Sequence, residues 1–154
     1  MTREADLGPA LSRQLTHLLK RALHDLEDLH REHLDPLGIT GREFGVLLLL
    51  QAREPESQQQ AAERLQVDRT TMVALLDGLE AKGLVAREAD PADRRRNVVA
   101  VTTAGRRMVE KATRASDQAE RRLLAALDES ERTQLRSLLA RIAFGAALDR
   151  SGPP

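Results

Sequence analysis

Residues 57–105 read SQQQAAERLQVDRTTMVALLDGLEAKGLVAREADPADRRRNVVAVTTAG, and this stretch decides the fold. Ser57 followed by Gln60 is an S-x-x-Q helix start, in which each side chain bonds the other residue's backbone N–H. Asp68 can cap the next helix, where Met72, Leu75, Leu76 and Leu79 at i, i+3, i+4 and i+7 form one apolar stripe. Two short helices joined by the small connection around Gln66 and Val67 predict a helix-turn-helix. Lys82 and Gly83 end the second helix with a cation and a C′ glycine, as a helix terminus prefers. Residues 84–87 and 98–101 then read as two extended segments around a polar turn containing Pro91, a β-hairpin with Arg94, Arg95 and Arg96 at its tip. Upstream, Thr40 and Glu43 form a T-x-x-E start for a short apolar helix reaching Leu50. The order helix, helix, helix, hairpin is that of a winged helix.

A helix-turn-helix lays its second helix in the major groove of double-stranded DNA, with the N-terminal residues at base edges. With the stripe buried, the opposite face carries Arg69, Thr70, Val73, Ala74 and Asp77, with Thr71 at its border. Arg69 can fork onto guanine or hold a phosphate, the threonines can bond bases or phosphates, and Val73 and Ala74 can touch thymine methyls. Gln58 and Gln59 stand at a helix N-terminus, where backbone N–H groups favour a phosphate. Three guanidinium groups on one tight hairpin repel each other, and the nearest acids in sequence are Asp90 and Asp93. The expected arrangement has Asp93 pairing with one arginine and fixing its direction, while another reaches into a narrow, electronegative minor groove.

At this point the sequence resembles a family. The stretch from Asp90 to Gly105 is similar to the wing signature of the MarR (multiple antibiotic resistance regulator) transcription factors, D-x-R followed by L-T-x-x-G. Asp93 and Arg95 fall on its Asp and Arg, Thr102 and Gly105 on its Thr and Gly, and Val101 stands where the signature has Leu. Residues 79–87, LEAKGLVAR, resemble the L-E-x-K-G-L-V-x-R segment between recognition helix and wing, and Asp68-Arg69-Thr70-Thr71 resembles the D-R-S-T helix start. Arg87, which closes the first of these segments, is grouped with the DNA-contacting side chains. The resemblance implies a homodimeric winged helix-turn-helix regulator on a pseudo-palindromic operator, with Arg95 entering the minor groove and Asp93 orienting it. Repression is the expected sense. Many family members release DNA when a small, often aromatic acid binds, so such an effector is implied, with no residue assignable to it. The chain departs from the family late in the recognition helix, where Val73, Ala74 and Gly78 replace commonly polar or basic residues. Gly78 costs roughly 1 kcal/mol of helix propensity against Ala.

Outside this segment the chain is amphipathic and helical. Leu7, Leu11, Leu15, Leu18, Leu19, Ala22, Leu23, Leu26 and Leu29 recur at steps of three and four, one face of a single long helix ending near Asp35 and Pro36. Met108, Ala112, Ala115, Ala119 and Leu123 share a helix, and Leu135, Leu138, Leu139, Ile142 and Ala146 the next, with Asp128 and Glu131 as a D-x-x-E start between them. The expected fold is therefore mostly α with a small β-hairpin wing: a winged helix-turn-helix over residues 40–106, flanked by a helical dimerisation region built from residues 1–39 and 107–154. A monomeric helical bundle is the alternative.

Composition bounds the function. The 154 residues suit one domain with its own core. Without Cys there is no thiolate nucleophile, disulfide framework or thiol switch. Two Phe and no Trp or Tyr leave no base-stacking platform. The longest apolar run, residues 46–50, is too short to span a bilayer, and the first ten residues carry two acids and no apolar h-region, so a cytoplasmic protein with no membrane partner is expected. With neither a Gly-rich phosphate loop nor H-E-x-x-H, and no serine beside an identifiable base, an enzyme and a cofactor are not expected. His30 and His33 at i, i+3 can hold zinc with Glu27, which keeps a metal-responsive regulator as one alternative, although no metal site is expected. A winged-helix protein-interaction module is another.

The 24 basic and 24 acidic side chains cancel, an objection to a nucleic-acid partner. Their distribution answers it. Residues 1–56 carry 7 basic and 10 acidic side chains, whereas residues 57–108 carry 9 and 7, and no acid lies between Arg94 and Arg107. Screening over about 8 Å at physiological salt leaves the wing a locally cationic element.

Overall fold

The computed structural model describes residues 4–145. Its elements are α1 (Glu4–Ser12), α2 (Leu15–Leu34), a 3-10 turn at Asp35–Leu37, α3 (Gly41–Gln51), α4 (Gln58–Leu65), α5 (Arg69–Ala81), β1 (Val85–Ala89), β2 (Asn97–Val101), α6 (Thr103–Leu123) and α7 (Glu129–Phe144). The fold class is the expected one, helical with a single two-stranded wing.

The helix starts read from sequence are closed by the expected side chains. Thr40 and Glu43, Ser57 and Gln60, and Asp128 and Glu131 each form a reciprocal capping box. Asp68 caps α5 as expected, and Thr102, which the sequence marks only as a signature residue, caps α6. At the far end of α5, Gly83 takes φ 69° and the Leu84 N–H reaches back to the Leu79 carbonyl at 2.9 Å, so the chain turns from recognition helix into wing within two residues.

The N-terminal stripe is not one helix. Gly8 has φ 74° and ψ 156°: Pro9 drives the ψ of the residue before it out of the α region, and the glycine, without a Cβ, takes the positive φ. A second break follows at Gln14, which is extended. The leucine spacing runs through both interruptions, so periodicity alone joined what the backbone divides. Ala146, the last residue of the stripe expected on α7, lies outside the described residues.

Leu34, Val46, Leu47, Met72, Leu76 and Leu79 are fully buried, and Val85, Val99 and Val101 from the wing and Val109 and Ala112 from α6 continue the same core. The core of the winged helix is thus continuous with the end of α2 and with α6. Antiparallel β1 and β2 pair Val85 with Val101 and Ala89 with Asn97. Glu56 adds a one-residue third edge, its carbonyl accepting from the Val99 N–H at 2.9 Å. A single bridged residue between Pro55 and Ser57 has no alternation to read, so the sequence did not announce it.

The start of α6 explains two signature residues. Thr102 Oγ1 donates to the Gly83 carbonyl at 2.7 Å and accepts from the Gly105 N–H at 3.0 Å. A Cβ on Gly105 would lie 2.0 Å from the Leu84 carbonyl oxygen and 2.6 Å from Val101 Cγ1. Glycine is therefore what allows α6 to abut the base of the wing.

By contrast, α7 buries none of its residues. Leu138, Leu139, Ile142 and Phe144 are exposed, as are Leu11, Leu15, Leu18, Leu19 and Leu23 at the other end of the chain. Between α2, α6 and α7 runs an apolar groove of about 790 Å3, lined by Leu18, Leu19, Leu26, Leu123, Leu135 and Leu139 among others.

Candidate nucleic-acid interface

Asp68 builds the start of the recognition helix. Its carboxylate accepts from the Thr71 N–H at 2.9 Å and from Thr71 Oγ1 at 2.5 Å, which holds the Asp68 pKa below its ordinary value of 3.8, the hydroxyl bond being the larger cause. The Thr71 hydroxyl proton is thus committed to the cap, leaving its lone pairs as what the side chain can offer a ligand. A depressed folded-state pKa means that the stabilisation is fully present above the ordinary value and is lost as pH falls through the folded one. Asp68→Ala should therefore melt below the parent at neutral pH, with the gap closing as acid protonates the parent's own cap. A gap of constant size from neutral pH to well below the ordinary carboxylate value would overturn this assignment.

Arg69 and Thr70 are exposed at the first turn, Ala74 is exposed and Val73 half-buried. Arg69 stands where the helix dipole disfavours a cation and has no acid partner among the described residues, so local stability does not account for it. On the buried side, Glu43 is 6% exposed and accepts from Lys82 Nζ through both oxygens, at 2.7 and 2.9 Å, and from the Thr40 N–H at 2.8 Å. This pair ties the start of α3 to the end of α5. It also accounts for Gly78, since a Cβ there would meet Glu43 Oε1 at 3.2 Å. The helix-propensity cost of that glycine makes room for the buried carboxylate.

At α4, Gln58 and Gln59 lie in the first turn. The Gln59 amide donates to Glu63 at 3.1 Å, and Gln58 Oε1 accepts from Arg87 at 3.2 Å.

The wing tip differs in one respect from the expected arrangement. Among the described residues Asp93 pairs with no arginine side chain; its Oδ1 accepts from the Arg95 backbone N–H at 3.0 Å and its carbonyl from the Arg96 N–H at 2.9 Å. Asp90 closes the other side, accepting from the Ala92 N–H at 2.8 Å and donating its own N–H to the Arg96 carbonyl. A short Asp side chain reaches the backbone two residues on more readily than a flexible guanidinium. Asp93 therefore holds the Arg95 backbone and not its guanidinium. Among the described residues, the guanidinium groups of Arg94, Arg95 and Arg96 have no hydrogen-bond or ion-pair partner, and all three residues are exposed.

Arg87, grouped in the sequence with the DNA-contacting side chains, has its guanidinium engaged within the protein. Its Nη2 donates to Asp77 Oδ1 at 2.5 Å and to Gln58, its Nη1 donates to Glu80, and its backbone N–H donates to Glu80 Oε1 at 3.2 Å. The side chain is 22% exposed, and the carboxylates, Asp77 first, push its pKa upward. Asp77 and Glu80, at i, i+3 on α5, are partners that the sequence reading did not connect with Arg87. Two carboxylates on one face beside a strand carrying Arg were the available signal.

His30 and His33 lie on α2 and form no metal group with Glu27 among the described residues. His30 Nε2 meets Ser116 Oγ at 3.0 Å, the His33 Nδ1–H donates to the Leu29 carbonyl at 2.8 Å, and no cluster of three His, Asp or Glu side chains able to hold a metal exists among the described residues.

Residues 37–96 match the family model described as MarR family. A crystal structure of a MarR-family transcriptional regulator from Rhodococcus sp. RHA1 superposes with a TM-score of 0.81 at 31% identity, covering 90% of this chain and 100% of that one. The chain belongs to the MarR family. Its homologues are transcriptional regulators. The transcriptional repressor CouR, in a structure bound to a 23-mer DNA duplex, gives a TM-score of 0.81 at 35% identity over 88% of this chain and 96% of that one. CouR from Rhodococcus jostii RHA1 bound to p-coumaroyl-CoA gives 0.78 at 32% identity, covering 92% and 100%. A putative transcriptional regulatory protein for the hcr operon of Thauera aromatica is 31% identical over 105 residues, 68% of this chain and 63% of that protein. Among the described residues, no helix of this MarR-family chain is long and apolar enough to cross a membrane.

Proposed function

We propose that the protein is a homodimeric, sequence-specific DNA-binding repressor, without catalytic activity, working in the cytoplasm. The observation that carries the DNA reading is the wing: three exposed guanidinium groups on a tip whose two acids are spent on its own backbone. Arg95 reaches the minor groove; Arg94 and Arg96 neutralise phosphates beside it. Arg69, Thr70, Val73 and Ala74 face the major groove, Thr71 accepts from a base, and the N-terminus of α4 at Gln58 and Gln59 takes a phosphate. CouR's complex with duplex DNA supports this reading.

The dimer reading rests on the leucines of α1, α2 and α7, whose apolar faces and intervening groove a second copy would cover. Residues 1–39 and 107–154 form the dimerisation region and residues 40–106 the DNA-binding region. An aromatic acid or its thioester is the effector class favoured by CouR's complex with p-coumaroyl-CoA.

Selection of bound genomic fragments by the purified protein, followed by a titration at several salt concentrations, tests the reading. Expected are a pseudo-palindromic site occupied by two chains and a log affinity falling linearly with log salt. Absence of any salt-dependent duplex binding would favour a winged-helix protein-interaction module instead. Added p-coumaroyl-CoA tests the effector class through release of the duplex.

A further inference from the structure

We propose that Arg87 is a positioning residue that locks the wing at a fixed angle to the recognition helix, so that base contacts and minor-groove insertion occur in one register. This rests on the DNA-binding reading above. One guanidinium on β1 joins all three DNA-facing elements: Gln58 at the start of α4, Asp77 and Glu80 on α5, and the wing that carries it. The strand's own backbone repeats the link, the Arg87 N–H donating to Glu80. A planar fork of five donors can hold two carboxylates and an amide at once, which a lysine's point charge cannot do in fixed directions. Asp77 stands on the helix face that would meet DNA, so the same contact neutralises a charge that would repel phosphate. Val85, Val99 and Val101 pack the base of the wing into the core, but beyond them it is a two-stranded ribbon with exposed Glu88 and Ala89, and short ribbons twist and flex unless packed or tied.

Fixed geometry favours the correct operator over other sequences, and the test reads that preference. Binding of the selected genomic fragment and of a scrambled duplex is measured across a salt series for the parent, Arg87→Met, Asp77→Asn/Glu80→Gln, and the triple variant. Arg87→Met should weaken operator binding about tenfold or more, change scrambled-duplex binding by less than about threefold and leave the salt slope unchanged. Asp77→Asn/Glu80→Gln keeps the arginine and frees it, and should lower the operator-to-scrambled ratio at least fivefold, roughly. The triple variant should lose no more than the worse of the two, because all remove one clamp. Equal loss on both duplexes with the slope lower by about one unit would make Arg87 a phosphate contact and overturn the proposal. An unchanged ratio in Asp77→Asn/Glu80→Gln would overturn it independently, even if Arg87→Met failed to fold. A parent that binds no duplex would overturn the DNA reading itself, and the clamp's role with it.

Discussion

Gly105→Ala is expected to destabilise the protein by about 3 kcal/mol or more. The added methyl would have to occupy space 2.0 Å from the Leu84 carbonyl oxygen, and the Leu84 carbonyl carbon is only 3.0 Å away. Neither neighbour is the free end of a flexible side chain. Leu84 is 5% exposed, its carbonyl accepts from the Thr102 N–H at 3.1 Å, and Thr102 is itself tied to Gly83. Relief of the clash therefore means lifting α6 off the wing and opening the core at Val101 and Val109. At a few degrees of melting temperature per kcal/mol for a chain of this size, the shift is about 6–12 °C downward. Gly45→Ala is the matched control. That glycine lies inside α3, and the space its methyl would take has nothing within 4 Å, so alanine there should stabilise the helix by about 0.5–1 kcal/mol. Opposite signs for two identical substitutions would locate the effect in packing against the wing. A Gly105→Ala protein melting with the parent would show that the wing base yields at little cost.

The residues of this junction also show what a sequence can reveal. Capping boxes, the Asp68 cap and the glycine after α5 are local patterns whose partners lie within a few residues, and each formed as expected. What stayed hidden depends on residues distant in the chain. Glu43 and Lys82 are 39 positions apart, and Arg87 and Gln58 29 apart; the family resemblance grouped Arg87 with the DNA contacts, and its partners on α4 and α5 stayed out of view because they belong to other elements. Asp93 misled in a different way, since carboxylate beside arginines suggests an ion pair whereas the backbone N–H two residues on competes for the same oxygen. The N-terminal helix failed because the leucine period continues across Gly8 and Gln14, and periodicity carries no information on whether φ and ψ stay helical between its beats.

Arg95→Ala is expected to weaken operator binding more than the loss of one charge can account for. One phosphate contact fewer means one released counterion fewer, worth about fivefold at physiological salt. An arginine inserted in a narrow minor groove adds an interaction with the groove's own potential, which a side chain outside it does not make. A loss beyond about tenfold on the operator, with a smaller loss on scrambled duplex, is therefore the expected pattern. Arg94→Ala and Arg96→Ala should each stay near the roughly fivefold effect of a single charge and act alike on both duplexes. The chain's neutrality makes this contrast readable. Acids outnumber bases over residues 1–56, so little long-range attraction stands behind the wing, and binding depends on few contacts. Of the five arginines between residues 94 and 107, Arg106 already donates to the Val101 carbonyl at 3.0 Å, which concentrates the free cationic groups further at the tip. Equal effects from all three tip arginines would remove Arg95 from the groove and make the wing a phosphate clamp alone.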